Sequence, residues 1–289
     1  MLALPRWESK GSGRDCLALE QNAGRGNRIP RALYWRRRHR LAILSENPQI
    51  KSVWFNDKDV GVASIWTSVI RLPEQFKQHI RAFKPSIQAF DEFKAELIAT
   101  NQLPTTDADI VLLGFKKLAI HQISYSGLGT KSGGPLGGRE QKSKYKIDCR
   151  WSPDYICKKV DWLHRFLSRF EFVSGGCTAL DFSAVVSVVN PNAVIYLDPP
   201  YYDKGGELYQ HAFTEADHIR LKHFLHYSDH PWLLSYDDCQ PIRDLYSFAK
   251  IDTLAVKCTI NGSKDPTQTK RKVLTKTELL ISKHERNLP

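Results

Sequence analysis

The chain has no C-x-x-C pair, no apolar run long enough to cross a bilayer, no signal peptide, no lipidation motif and no internal repeat. Each absence excludes a class of protein. Its six cysteines (Cys16, Cys149, Cys157, Cys177, Cys239 and Cys258) are scattered. This argues against a zinc site or a disulfide framework and for free thiols in a reducing compartment. Without a spanning segment or an anchor, the expectation is a cytoplasmic protein with no membrane partner. No G-x-G-x-x-G follows a strand-like run, which disfavours a dinucleotide-dependent dehydrogenase.

At 289 residues and 33.1 kDa, the chain is long enough for one catalytic domain with a sizeable core and a smaller insertion. The net charge of +11 invites a nucleic-acid partner, but its distribution weakens that argument. Residues 1–40 carry ten Lys/Arg against three Asp/Glu, or +7, and the other 249 residues carry 32 against 28, only +4. Helical periodicity runs through 60–70, 74–100 (broken at Pro85), 108–123 and 153–170. Between the last two, Ser124 to Trp151 is rich in Gly, Ser and Lys. The closing half alternates. Strands near 172–173, 193–198, 232–235, 250–258 and 277–282 are spaced by helices after Asp181, over 214–227 and around 240–248. Such alternation predicts an α/β fold, with a mostly parallel sheet and helices on both faces.

The most informative stretch is Ala193-Val194-Ile195-Tyr196-Leu197, which runs into Asp198-Pro199-Pro200-Tyr201. Five apolar residues read as a buried strand. The prolines end it, because neither can donate to a ladder and each restricts its predecessor. Acid and aromatic are thereby fixed at the carboxyl end of a strand, where open α/β sheets bind ligands. An aromatic amine is a poor nucleophile because its lone pair is delocalised into the ring. A carboxylate at 198 and the proline-held carbonyl of residue 199 can accept its two N–H bonds and localise that pair. Pinning the amine supplies orientation, and a proline-stiffened acceptor array is set before the reaction. Tyr201 offers a flat face for an extruded base. The bland alternative is a proline turn with an incidental acid.

Asp198-Pro199-Pro200-Tyr201 resembles the catalytic signature of amino-group methyltransferases acting on adenine. From about Leu41 to Ile281, the order of segments resembles the Dam-like N6-adenine-specific DNA methyltransferase family. The resemblance implies a Rossmann-like, S-adenosylmethionine-dependent methyltransferase sheet with an inserted target-recognition subdomain. The catalytic domain would span 41–75 and 161–289, and the insertion 76–160. It implies methyl transfer from S-adenosylmethionine to N6 of a flipped adenine in double-stranded DNA, by a monomer without a metal. The setting would be restriction-modification, phage or orphan methylation. Asp198 and Pro199 would hold the amine, Pro200 would stiffen the turn and Tyr201 would stack the base.

Other residues follow from the same resemblance. Val53-Trp54-Phe55-Asn56-Asp57 is similar to the strand whose terminal acid binds the cofactor ribose, with an ordinary strand-ending turn as the alternative for Asp57. Asp181-Phe182 resembles the contact to the cofactor adenine, and a helix N-cap at Asp181 is an equal alternative. Leu208-Tyr209, Phe213 to His218 and Trp232 to Asp238 follow later family segments, and core packing is the reading for these, His218 included. Residues 124–150 look like the recognition insertion. They carry Lys131, Arg139, Lys142, Lys144, Lys146 and Arg150 against Glu140 and Asp148, cations able to contact phosphates or base edges. A flexible surface loop is the plainer reading of that stretch. Methylation of RNA adenine, or a catalytically impaired DNA-binding relic, stay open as alternatives.

The family pattern also demands a Pro-Gly-Gly-Lys near the amino terminus and an acid-Pro-Phe-x-Gly-x-Gly loop after the first strand. Neither is present. At the loop's place stands Ala32-Leu33-Tyr34-Trp35-Arg36-Arg37-Arg38-His39-Arg40, whose cations would surround a cationic sulfonium. Codons CGA GCC CTT TAC TGG CGG CGG CGG CAT CGG would encode Arg31 to Arg40. Read one base later they give Glu-Pro-Phe-Thr-Gly-Gly-Gly-Gly-Ile. With CTA CCC AGG TGG GAA AGT for Leu4 to Ser9, the same shift gives Tyr-Pro-Gly-Gly-Lys. Residues 1–40 are therefore expected to be an aberrant basic segment read out of frame, the alternative being a natural nucleic-acid-binding arm. The chain as written is expected to bind cofactor weakly or not at all.

Overall fold

A computed structural model describes residues 15–21, 41, 44–45, 47–186, 193–202, 212–258 and 274–283. Its strands are β1 (Asp15–Gln21), β2 (Ile50–Asp57), β3 (Glu171–Thr178), β4 (Ala193–Asp198), β5 (Trp232–Asp237), β6 (Lys250–Cys258) and β7 (Leu274–Ser282). They form one seven-stranded sheet in the order β3-β2-β1-β4-β5-β7-β6. β2 is parallel to β3 and β4 to β5, whereas β1 is antiparallel to β2 and β4, and β7 to β5 and β6. Five strands thus share one direction, and β1 and β7 oppose it.

Side-chain alternation builds the layers. Val194 and Tyr196 of β4 join one buried cluster, and Ala193, Ile195 and Leu197 join the other. The first face is covered by α1 (Val60–Arg71), α2 (Pro73–Ala82), α4 (Asp107–Ile123) and α5 (Pro153–Leu167), through Ile65, Phe76, Val111 and Leu163. The second is covered by α6 (Phe182–Val186), α7 (Glu215–Tyr227) and α8 (Gln240–Leu245), through Val185, Leu221 and Ile242. Helices therefore lie on both faces of the sheet. A third cluster joins Phe90 and Leu97 of α3 (Ile87–Ala99) to Leu113, Ile120 and Ile123 of α4 and to Ile147.

Local chemistry sets the helix ends. The Asp59 carboxylate accepts from the Gly61 and Val62 amides at the start of α1, and proline opens α2 and α5, where its missing N–H costs nothing. The chain breaks at Pro85 as the sequence predicts, and the Ser86 hydroxyl caps α3 by accepting from Ala89 N–H.

The sheet differs from the sequence reading at its centre. The sequence pattern predicts no strand at 15–21, yet β1 lies between β2 and β4. It runs in reverse, with Asp15 opposite both Asp57 and Asp198 and Glu20 opposite Ala193. β1 therefore begins at the edge where β2 and β4 finish and ends at the far edge. The rest of the basic segment, including Ala32 to Arg40, lies outside the described residues.

Candidate active site and nucleic-acid interface

The carboxyl ends of β4 and β5 create the site. Pro199 and Pro200 are buried, and Asp198, Tyr201 and Tyr202 are half-buried. Three side chains from neighbouring strands grip this turn. The Ser235 hydroxyl donates to Asp198 Oδ1 at 2.9 Å. Asp237 Oδ1 accepts from the Tyr202 amide at 2.9 Å, and Glu278 Oε1 accepts from the Tyr201 hydroxyl at 3.0 Å. Asp237 and Glu278 stand opposite each other in the β5–β7 ladder, so one sheet register holds backbone and ring together. Asp198 Oδ2 has no hydrogen-bond partner among the described residues. The sequence pattern does not single out Ser235 or Glu278 as site residues and gives Asp237 only a packing role. The available signal is polarity at the mouth of apolar strands: Ser235 after Trp232-Leu233-Leu234, and Glu278 before Leu279-Leu280-Ile281.

His218 is 3% exposed, with Nδ1 2.5 Å from the Tyr236 hydroxyl, and packs between Tyr202 and Phe213. Burial lowers its pKa. It is a core histidine, set beside the turn rather than aimed out of it.

The residues assigned to a cofactor stand at the same edge, and Asp181 and Phe182 are committed elsewhere. Asp57 is 1% exposed, and its Oδ1 accepts from the Asp59 amide two residues on, the geometry of a strand-ending Asx turn. Asp181 caps α6 through the Ser183 amide and hydroxyl. Arg220 also grips it with two bonds of 2.8 and 3.0 Å. Burial alone would raise the Asp181 carboxyl, but Arg220 and Ser183 outweigh it and bring the pKa down to about 2. The same guanidinium lies 4.5 Å from the centre of the Phe182 ring. As they stand, Asp181 and Phe182 do not fit a cofactor adenine, because Arg220 already occupies the Asp181 carboxylate and a face of Phe182.

The glycine-rich stretch is tied down rather than loose. Tyr125–Gly127 and Gly129–Lys131 form 3-10 turns, and Ser124 bridges Pro135. Lys94 Nζ donates to the Ser132 carbonyl at 2.8 Å. Gly129 has φ +60°, and a Cβ there would lie 2.7 Å from His121 Cε1; only glycine serves both demands. The predicted cations divide into groups. Arg139 makes a two-pronged pair with Asp91 at 3.0 and 2.8 Å. Lys142 pairs with Glu140, and Lys146 bonds the Gln141 carbonyl. Arg150 is half-buried. Lys131 and Lys144 are exposed, with no ion-pair partner among the described residues. Tyr125 and Tyr145 expose their rings on the same stretch.

His121 anchors this region by donating from Nδ1 to the Gly127 carbonyl at 3.1 Å. Burial, then nearby Lys117, pushes its pKa down to about 4. The folded value lies below the unfolded one, so the unfolded chain takes up the proton first as pH falls. Stability is therefore full above about pH 6.5 and falls towards pH 4, by up to about 3 kcal/mol. Thermal midpoints measured from neutral pH downward should fall less steeply in His121→Asn, which keeps a donor but does not titrate.

Among the described residues, Cys149, Cys157, Cys177 and Cys239 are free thiols. No cluster of His, Cys, Asp and Glu there could hold a metal, and no helix among those residues is long and apolar enough to cross a membrane. Leu208 and Tyr209 lie outside the described residues.

A half-buried carboxylate and a buried proline pair thus stand at the end of a central strand, in a sheet clad by helices. Residues 167–260 match the family model of D12 class N6 adenine-specific DNA methyltransferase. That stretch includes β4, β5 and the whole Asp198–Tyr201 turn, and it supports a site-specific adenine DNA methyltransferase. It contains none of the 76–160 segment. No curated protein matches the chain.

Proposed function

We propose that the chain methylates N6 of an adenine swung out of double-stranded DNA, with S-adenosylmethionine as the methyl donor. The observation that carries this reading is the Asp198–Tyr201 turn, fixed by β5 and β7 with Asp198 Oδ2 left to accept. Asp198 and the Pro199 carbonyl take the two N–H bonds of the amine, in an acceptor array oriented beforehand. Pro200 stiffens the turn. Tyr201, its hydroxyl tethered to Glu278, presents its ring to the extruded base. The methylated amine is cationic and loses its proton readily, so no side-chain base is required.

S-adenosylmethionine supplies, when bound, a methyl group on a cationic sulfonium. Asp57, Asp181 and Phe182 are the residues proposed to hold it, the last two only after Arg220 has moved aside. Residues 1–40 are proposed to be read out of frame. The reversed β1 and the missing glycine loop both favour this, and cofactor binding in the chain as written is weak, in the millimolar range. The catalytic domain is proposed to comprise 41–75 and 161–289, acting as a monomer in restriction-modification, phage or orphan methylation.

The segment 76–160 is proposed to read DNA through the exposed cations of 124–150. Lys144→Ala is expected to lower the slope of log K against log salt by about 0.9 by losing one phosphate contact. Arg139→Ala should leave that slope unchanged, because Asp91 already neutralises the guanidinium. Fluorescence anisotropy with a labelled duplex over a salt series checks both. A competition of unmethylated genomic DNA against RNA as methyl acceptor, at millimolar S-adenosylmethionine, tests the function itself. Label is expected in DNA, and label confined to RNA would contradict the reading.

A further inference from the structure

We infer that Ser235, backed by Tyr196, is a positioning residue that sets the orientation of the Asp198 carboxylate; this rests on the functional reading above. β4 and β5 are parallel, with Tyr196 opposite Leu233 and Leu197 opposite Leu234. One step further along that register brings Ser235 beside Asp198. Ser235 Oγ lies 2.9 Å from Asp198 Oδ1 and 3.1 Å from the Tyr196 hydroxyl oxygen. A longer contact of 3.4 Å reaches the Leu197 carbonyl.

Proton counting gives the chain a direction. A serine hydroxyl has one proton and a carboxylate only accepts, so Ser235 donates to Asp198 and Tyr196 donates to Ser235. Tyr196 is 1% exposed and Ser235 7%, so water is a poor substitute partner for either. Tyr196 sits in an otherwise apolar strand, where its hydroxyl must find a partner. One partner it finds is Ser235, the group that holds the proposed catalytic carboxylate. Oδ1 is thereby committed, the plane of the carboxylate is fixed, and Oδ2 is the oxygen presented to an amine. Without the serine, the carboxylate can rotate about its terminal torsion and the acceptor geometry is lost.

The test uses the full chain at millimolar S-adenosylmethionine with unmethylated genomic DNA. Ser235→Ala is expected to slow methyl transfer by about 10- to 100-fold, the scale of a misoriented catalytic group. Duplex affinity should be unchanged, and the thermal midpoint should fall by only a few degrees, the cost of leaving the Tyr196 hydroxyl without its serine partner. Ser235→Thr, which keeps the hydroxyl, should recover most of the rate. Tyr196→Phe should slow transfer by about 2- to 10-fold, the worth of one hydrogen bond. The double variant should be no slower than Ser235→Ala, since the two hydroxyls act as one unit. A merely structural role would lower stability without slowing transfer and would not show that non-additivity in rate. Wild-type rates in Ser235→Ala, or no rescue by threonine, would overturn the role of Ser235 alone. No transfer by the unaltered chain would overturn the functional reading and this inference with it. Should Ser235→Ala fail to fold, Tyr196→Phe removes a single oxygen and carries the test; an unchanged rate in it refutes the relay.

Discussion

Asp198→Ala is expected to slow methyl transfer by about 10²- to 10³-fold, the usual scale for removing one preorganised electrostatic contact to a reacting group. The loss should appear in turnover rather than in DNA affinity, because the cations of 124–150 and not the strand end are proposed to contact phosphates. The fold should tolerate the change. Asp198 is half-buried, and among the described residues its side chain receives one hydrogen bond, from Ser235. Ser235 would retain the Leu197 carbonyl as an acceptor, so the stability cost is about 1 kcal/mol. Asp198→Asn keeps one carbonyl oxygen and should fall between alanine and the unaltered chain. Rates with labelled cofactor, set beside thermal midpoints, separate the two effects. An alanine variant that transfers methyl groups at the normal rate would remove Asp198 from the chemistry.

Shifting the reading of residues 1–40 by one base should raise the affinity for S-adenosylmethionine by about 100-fold or more, roughly 3 kcal/mol. Two physical causes add. The arginine-rich run beside a cationic sulfonium would be replaced by glycines, which let backbone approach a ligand closely. A strand followed by its glycine loop at the Asp198 edge would also require β1 to run parallel to β2 and β4. In the chain as written, β1 starts at that edge and ends at the other. Titration calorimetry on both proteins measures the gain. Micromolar binding by the unshifted chain would show that residues 1–40 are no obstacle.

Much of this organisation is legible in the amino-acid sequence. Helical spacing locates α1 to α5, Pro85 marks the break between α2 and α3, and the apolar run 193–197 places Asp198 at a strand end. These signals are local, and local periodicity survives folding when it agrees with burial. What is not legible depends on pairing between distant segments. Nothing in Asp15–Gln21 states the direction in which a short apolar strand will join a sheet. Ser235 and Glu278 reach the turn only because β4, β5 and β7 adopt one register. Counting cations gives Arg139 and Lys144 equal weight, but Asp91, 48 residues before Arg139, neutralises the first and leaves the second to solvent. At Asp181 the sequence leaves cap and cofactor contact equally open. The structure shows the cap, and adds an Arg220 partner that lies on a different helix.

The most direct test of the central claim is nucleoside mass analysis of unmethylated genomic DNA after incubation with the full chain and S-adenosylmethionine at a concentration high in the millimolar range, beside an Asp198→Ala control. N6-methyladenine that rises with time, and is absent or nearly so in the control, is the predicted result. Methylation of cytosine instead, equal N6-methyladenine in both reactions, or none in either, would contradict it.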